Sequence, residues 1–472
     1  MKALSHWCVA LSCIFLFGCS DEDADTDGAF ECDAPQDGSW TQYGRDPGNT
    51  RCVKLDSFRA QPSELRKAWE ITDLAGSTST PISKDGVVYF GDWNGTLHAV
   101  EEASGNELWS STIAEGAPIR STPALVGDTI YAAFATLVAA YDAKTGEPRW
   151  VQNVDEQETA YIEASPIVVD DYLLVGLASY ELTLDLEDYT FQGGVLGLNK
   201  NTGETEWRLY TTPNDETGGA GVSVWSSVVI DPESQLAFVG TGNSYEEPSA
   251  QLTDSLLAID YTNGNVVWQN QFTKDDVFTT PDLGPGGDFD VGATPTLLRL
   301  DDRDLIAVGN KAGIFKAIDR RTGETIWSTQ LGTGSDIGGI MASAAYADGV
   351  LYVNSNDWVD YGFLEGENSP RDTSKTFAVD ARTGDVVWKH AMPAPMFGGL
   401  TLVNGVIYAG LIDGSLIGLN AKSGAEVWTD TLPGPIGAGI SVAGESLLVS
   451  YGFDFFKSSV DQSVSSGVRA YR

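Results

Sequence analysis

The apolar positions of this chain fall in short runs and not at helical spacing. GVVYFGDW (86–93), TIYAAFAT (129–136), GVLYVNSN (349–356) and GVIYAGLI (405–412) are β-branched and aromatic stretches bounded by glycine or Asp-Gly steps. Such runs predict strands between tight turns. After them comes a recurring unit: AVEEASGNELW (99–109), AAYDAKTGEPRW (139–150), GLNKNTGETEW (197–207), AIDYTNGNVVW (258–268), AIDRRTGETIW (317–327), AVDARTGDVVW (378–388) and GLNAKSGAEVW (418–428). Each predicts strand, turn, strand, with the glycine supplying the conformation a tight hairpin demands. No long helical period appears, so the fold class is all-β.

The recurring tryptophans stand at 69, 109, 150, 207, 268, 327, 388 and 428. An indole that buries a large area at a fixed place can lock one sheet onto the next, since stacked units bury jointly what none buries alone. These tryptophans are therefore expected to be structural. The AxDxxTGxxxW pattern resembles the tryptophan-docking motif of the eight-bladed β-propellers of the quinoprotein dehydrogenase superfamily, which implies one propeller over 40–472. Trp69 is isolated in RKAWEI, and the last segment, GVRAYR, lacks a tryptophan. Pairing of residues 65–72 with that C-terminal segment would close the ring and remove sheet edges.

The spacings between successive tryptophans are 40, 41, 57, 61, 59, 61 and 40, so the middle four units are longer. Four short strands need only about 40 residues, and insertions of this kind commonly gather as functional loops on one face. They are rich in acids, glycines, amides and tryptophan, a composition suited to a cation and a planar ligand.

Charge and composition narrow the function classes. The net charge of −39, from 67 acids against 28 bases, would repel a phosphate backbone and argues against a nucleic-acid partner. Lys2 followed by WCVALSCIFLFGC predicts a secretory leader over 1–19. Leu16-Phe17-Gly18-Cys19 resembles a bacterial lipobox, which implies export and a lipid anchor at Cys19, with outer-membrane sorting toward the periplasm. Residues 20–39 begin as an acidic tether, SDEDADTDG. Cys32 and Cys52 are then left as a candidate disulfide, consistent with an oxidising compartment.

Five windows in order carry a closer resemblance: WTQYGRDPGNTR (40–51), ASYELTLDLEDYTFQGGVLGL (178–198), GVSVWSSVVIDPESQLAFVGTGNSY (221–245), DFDVGATP (288–295) and GNKAGIFKAIDRRTG (309–323). They resemble the quinoprotein alcohol dehydrogenases, in particular their polyvinyl-alcohol dehydrogenase branch. The resemblance implies oxidation of alcohols, polymeric or secondary ones included, by hydride transfer to pyrroloquinoline quinone beside Ca²⁺. Glu181, Asn243 and Asp288 match the family's calcium-site residues, oxygen donors appropriate to that ion. Asp288 also matches the catalytic base, and Asp290 the second acid of a D-x-D pair whose alternation would place both on one strand face. Trp225 matches the indole beneath the quinone, Lys311 the cation at its ortho-quinone oxygens, and Arg120 and Asn356 further cofactor contacts. A base, an electrophilic carbonyl and positive charge where negative charge develops are what alcohol oxidation requires.

Departures from the family pattern are equally specific. No cysteine follows Cys52, so the adjacent cysteines often found over the quinone have no counterpart. No C-x-x-C-H haem site is present in this sequence, which implies a separate electron acceptor such as a cytochrome c. Glu163, in IEASPIV, stands where the family usually has a threonine that contacts the anionic cofactor, and a carboxyl there is unfavourable unless protonated or paired with a cation such as Arg120; otherwise the cofactor sits differently or is absent. Two other readings stay open: a non-catalytic scaffold like the propeller lipoprotein of outer-membrane protein assembly, and a degenerate quinoprotein that binds calcium alone.

Overall fold

The computed structural model describes residue 32, residues 38–55, residue 58, and residues 62–212, 219–280, 287–335, 337–357, 373–452 and 465–472. The leader and Cys19 anchor expected at 1–19, and the acidic stretch that follows, lie outside the described residues. The described residues form eight sheets, antiparallel except where Cys52–Val53 runs parallel to Thr401–Val403, and no α-helix, an eight-bladed β-propeller. Blades are numbered in chain order from their innermost strands: Ile82–Lys84, Ala124–Val126, Ile167–Val169, Val229–Asp231, Thr296–Leu300, Ala345–Ala347, Thr401–Val403 and Ile440–Ala443. The outer strand of blade 8 is Lys67–Thr72, which pairs with Gly467–Tyr471. First and last parts of the chain thus share one sheet, and the ring has no open seam.

Each residue of the repeat has a visible task. The Trp109 indole N–H donates to the Ala143 carbonyl of the next blade at 3.1 Å, Trp268 to Arg320 at 3.0 Å and Trp388 to Ala421 at 2.9 Å. Across the closing blade, Trp69 donates to Glu102 at 2.8 Å. The glycine of the Thr-Gly step meets that ring: at Gly146, whose φ is 74°, a Cβ would fall 2.4 Å from Trp109 Cε3. The preceding acid fixes the same turn, since the Asp142 carboxylate accepts the N–H groups of Lys144 and Thr145 at 3.0 Å each.

The inner strands present unpaired backbone groups to the axis, and residues 38–53 satisfy them. The carbonyls of Gly38, Trp40, Thr41, Pro47, Gly48, Thr50 and Arg51 accept N–H groups of blades 8, 1, 2, 4, 5, 6 and 7 in that order. The segment therefore runs round the axis and threads the blades together. Arg51 at its end is fully buried, with Nε on the Leu400 carbonyl at 2.7 Å and its guanidinium beside the Tyr43 ring. Cys32 and Cys52 form a disulfide that ties this segment to the chain before it.

Candidate active site

One backbone device builds the mouth of the axis. Ile119, Ile162, Val224, Val291 and Ile340 each donate an N–H to a carbonyl of the preceding blade, at 2.8–3.1 Å. The next residue in each case stands four positions before its inner strand: Arg120, Glu163, Trp225, Gly292 and Met341. Equivalent positions on different blades are brought round one axis, so residues far apart in sequence share a chamber.

The charged centre lies between blades 4 and 5. The Lys311 ammonium bonds Asp288 at 2.6 Å and Asp290 at 2.8 Å, all three groups being buried. Asp290 also accepts the Trp225 indole N–H at 3.0 Å and the Asn243 backbone N–H at 2.7 Å. Residues 288–290 are not a strand, contrary to the expectation of one strand face, yet both carboxylates reach the same ammonium. Trp225 is half-buried, and Gly292 lies against its ring, where a Cβ would fall 1.7 Å from Cη2. A side chain at 292 would therefore displace the indole. The Lys311 ammonium sits 5.4 Å from the centre of the same ring.

Burial and like charge raise Asp288, Asp276 and Asp254 above the ordinary carboxylate range. Asp288 is raised well above it by burial and by Asp290, although Lys311 acts in the opposite sense. Burial alone would lower Lys311, but the two carboxylates outweigh it and hold the ammonium protonated. Asp276 is pushed to about 6 by burial and Asp290, and fully buried Asp254 is raised by burial and by Asp276. The sequence pattern did not single out Asp254 or Asp276; nothing in TDS or KDDV distinguishes them from turn acids.

Glu181 opens a 3₁₀ turn, Glu181–Thr183, and is 3 % exposed. Its carboxylate accepts the backbone N–H groups of Thr190 at 3.1 Å and Phe191 at 2.8 Å, with the Thr190 hydroxyl at 3.2 Å. The Asn243 amide nitrogen donates to the carbonyls of Ser244 and Phe278 at 2.6 and 2.8 Å, which leaves its Oδ1 as acceptor. Among the described residues no three acidic, imidazole or thiol side chains form a ready-made metal nest. Two carboxylates and one amide oxygen remain as the hard donor set, which fits a calcium ion in chemistry.

Arg120 and Asn356 differ in kind. The Arg120 guanidinium lies 4.8 Å from the centre of the Trp93 ring, at the chamber mouth. Asn356 is fully buried with both amide atoms engaged: Oδ1 accepts the Met396 N–H at 2.9 Å and Nδ2 donates to the Met396 carbonyl at 3.1 Å. Its side chain stands in for the backbone carbonyl used between the other blades, so its geometry is that of a clamp between blades 6 and 7. Glu163 makes no direct ion pair with Arg120. Burial raises its carboxyl and the guanidinium offsets this only from a distance. Tyr161, which the sequence did not single out, feels Glu163, Arg120, Lys311 and Asp290 together. It reaches this place through the two-residue strand Ala160–Tyr161, paired with Ala178 and Ser179.

Comparison with known proteins agrees with this architecture. The family described as "Glucose/ethanol/alcohol dehydrogenase, beta-propeller domain" matches residues 152–332, and that described as "Outer membrane protein assembly factor BamB" matches 60–190 and 311–464. A polyvinylalcohol dehydrogenase of Sphingopyxis sp. (strain 113P3) is 28% identical over 388 residues, covering 73% of this chain and 56% of the relative. The chain thus spans about half the length of the relatives it matches. The quinohemoprotein alcohol dehydrogenase structure of Comamonas testosteroni superposes with a TM-score of 0.76 at 18% identity, over 93% of this chain and 81% of that one. BamB from Moraxella catarrhalis gives 0.57 at 15% identity, over 86% and 97%. The first of these family matches spans the blades that carry Trp225, Asp288, Asp290 and Lys311, where the chain is similar to the alcohol dehydrogenase propellers, and the second covers more than half of the chain, which belongs to the β-propeller family so described.

Proposed function

We propose that this protein oxidises alcohols with pyrroloquinoline quinone and Ca²⁺, and passes the electrons to a separate acceptor such as a cytochrome c. The observation that carries this reading is the buried Lys311 ammonium between Asp288 and Asp290 beside the Trp225 ring. A structural blade has no use for three buried charges at its axial end, where their desolvation costs several kcal/mol per ion.

The bound quinone would supply an electrophilic carbonyl able to accept hydride. Asp288 would take the hydroxyl proton of the alcohol, a role suited to a carboxylate raised by its surroundings toward neutrality. Lys311 would hold positive charge where negative charge develops, and Trp225 would fix one face of the planar ring. Glu181, Asn243 and Asp288 would hold Ca²⁺. Polymeric or secondary alcohols are the substrates suggested by the polyvinylalcohol dehydrogenase relatives. An exported protein held at the outer membrane through Cys19 and facing the periplasm completes the proposal.

The test adds pyrroloquinoline quinone to the mature chain with and without Ca²⁺, and follows absorbance, melting temperature and alcohol-dependent dye reduction. Calcium-dependent binding with dye reduction is expected. Binding of calcium alone would support the degenerate quinoprotein. No ligand effect, with co-purification of a membrane assembly partner, would support the scaffold suggested by the second family match.

A further inference from the structure

We propose that Glu163 is a cofactor-binding residue that enters the chamber as a neutral acid and donates a hydrogen bond to a carboxylate of the quinone. The inference rests on the quinone reading of this site.

Glu163 occupies the position of its blade that Arg120 and Trp225 occupy in theirs, four residues before the inner strand. Its Oε2 is buried and has no hydrogen-bond partner among the described residues. An ionised carboxyl can only accept hydrogen bonds, whereas the neutral acid can donate one. The groups facing it are the Arg120 guanidinium and the Tyr161 phenol, with Lys311 and Asp290 beyond the phenol. Arg120 is stacked on Trp93 and forms no ion pair with Glu163, so nothing in contact holds the carboxylate form. Burial then favours the proton, in keeping with the raised carboxyl. Pyrroloquinoline quinone is itself a carboxylate. Two ionised carboxyls facing each other in a dry chamber would repel, while one shared proton turns the same contact into a charge-assisted hydrogen bond.

The sign of the pH effect follows. Binding is strongest and flat below the pKa of Glu163 in the free protein, weakens by up to about tenfold per pH unit for one proton as pH rises through it, and levels off above the higher pKa of Glu163 in the complex. The experiment titrates pyrroloquinoline quinone, at saturating Ca²⁺, into the full chain and follows tryptophan fluorescence from about pH 5 to 9, a window that brackets a raised carboxyl. Glu163→Gln keeps a donor and cannot ionise; its affinity should match the wild type at low pH and stay constant at high pH. Glu163→Leu has no donor and should bind about tenfold more weakly at low pH, the worth of one such hydrogen bond. Melting curves without quinone confirm that each variant is folded. An identical pH profile in wild type and Glu163→Gln would overturn the inference while leaving the quinone reading standing. A folded wild type that binds no quinone at any pH would overturn both.

Discussion

Blades 3 to 6 and blades 7, 8, 1 and 2 share one frame but use it differently. In all of them a sheet of four strands, joined by a short fifth in blades 3 and 7, is held to its neighbour by inter-blade backbone bonds and packed rings. The short blades end at the axis in side chains such as Thr78 and Phe397, with Arg120 the charged exception. The long blades bury Glu181, Asn243, Asp254, Asp276, Asp288, Asp290 and Lys311, each 7 % exposed or less. The described extra residues lie beyond the second strand or between blades, where they add to the ring without breaking its hydrogen bonds. A repeat fold can therefore concentrate electrostatic cost in one half while the other half supplies closure.

The comparison can be broken most severely at Asp288. Asp288→Asn should lower alcohol-dependent dye reduction about a thousandfold, the worth of a general base, with quinone still bound. Asp92→Asn is the counterpart in a short blade. Asp92 is buried and caps a turn through the Thr96 N–H at 2.9 Å, so the variant's dye reduction per folded molecule should be unchanged.

Lys311→Met comes next. It leaves two buried carboxylates without their cation, and urea unfolding should show a loss of about 3–5 kcal/mol. The loss should shrink as pH falls, because Asp288, raised by burial, then takes up a proton.

Two glycines separate the tasks of the two regions. Gly292→Ala should abolish quinone binding by moving the Trp225 ring, with little change in melting. Gly146→Ala, a left-handed turn residue under Trp109, should cost about 1–2 kcal/mol of stability without touching quinone affinity. An effect of similar size is expected at Asn356→Ala, which removes two bonds to Met396. About 1–3 kcal/mol of stability should go, and quinone affinity per folded molecule should not change. A selective loss of quinone affinity would return Asn356 to the cofactor shell.

The sequence by itself determined the blade and its number, because a blade is a local object. Its strands are consecutive, its turn acid and glycine sit within a few residues of each other, and its tryptophan repeats in register. Asp288, Asp290, Lys311 and Trp225 were named through the resemblance to the quinoprotein alcohol dehydrogenases, while the lengthened repeats by themselves showed only which blades carry the extra acids, amides and indoles. Only the tertiary structure decided the rest. Residues 38–53 bind seven blades almost entirely through backbone groups, which leave no pattern in side chains. Asn356 resembles a cofactor contact in NSNDW, but Met396, forty residues on, engages both of its amide atoms. Tyr161 sits in ordinary-looking strand sequence and Glu163 was marked only by its departure from the family pattern; their nearness to Arg120 and Lys311 comes from ring closure, which sets equivalent positions of distant blades around one axis.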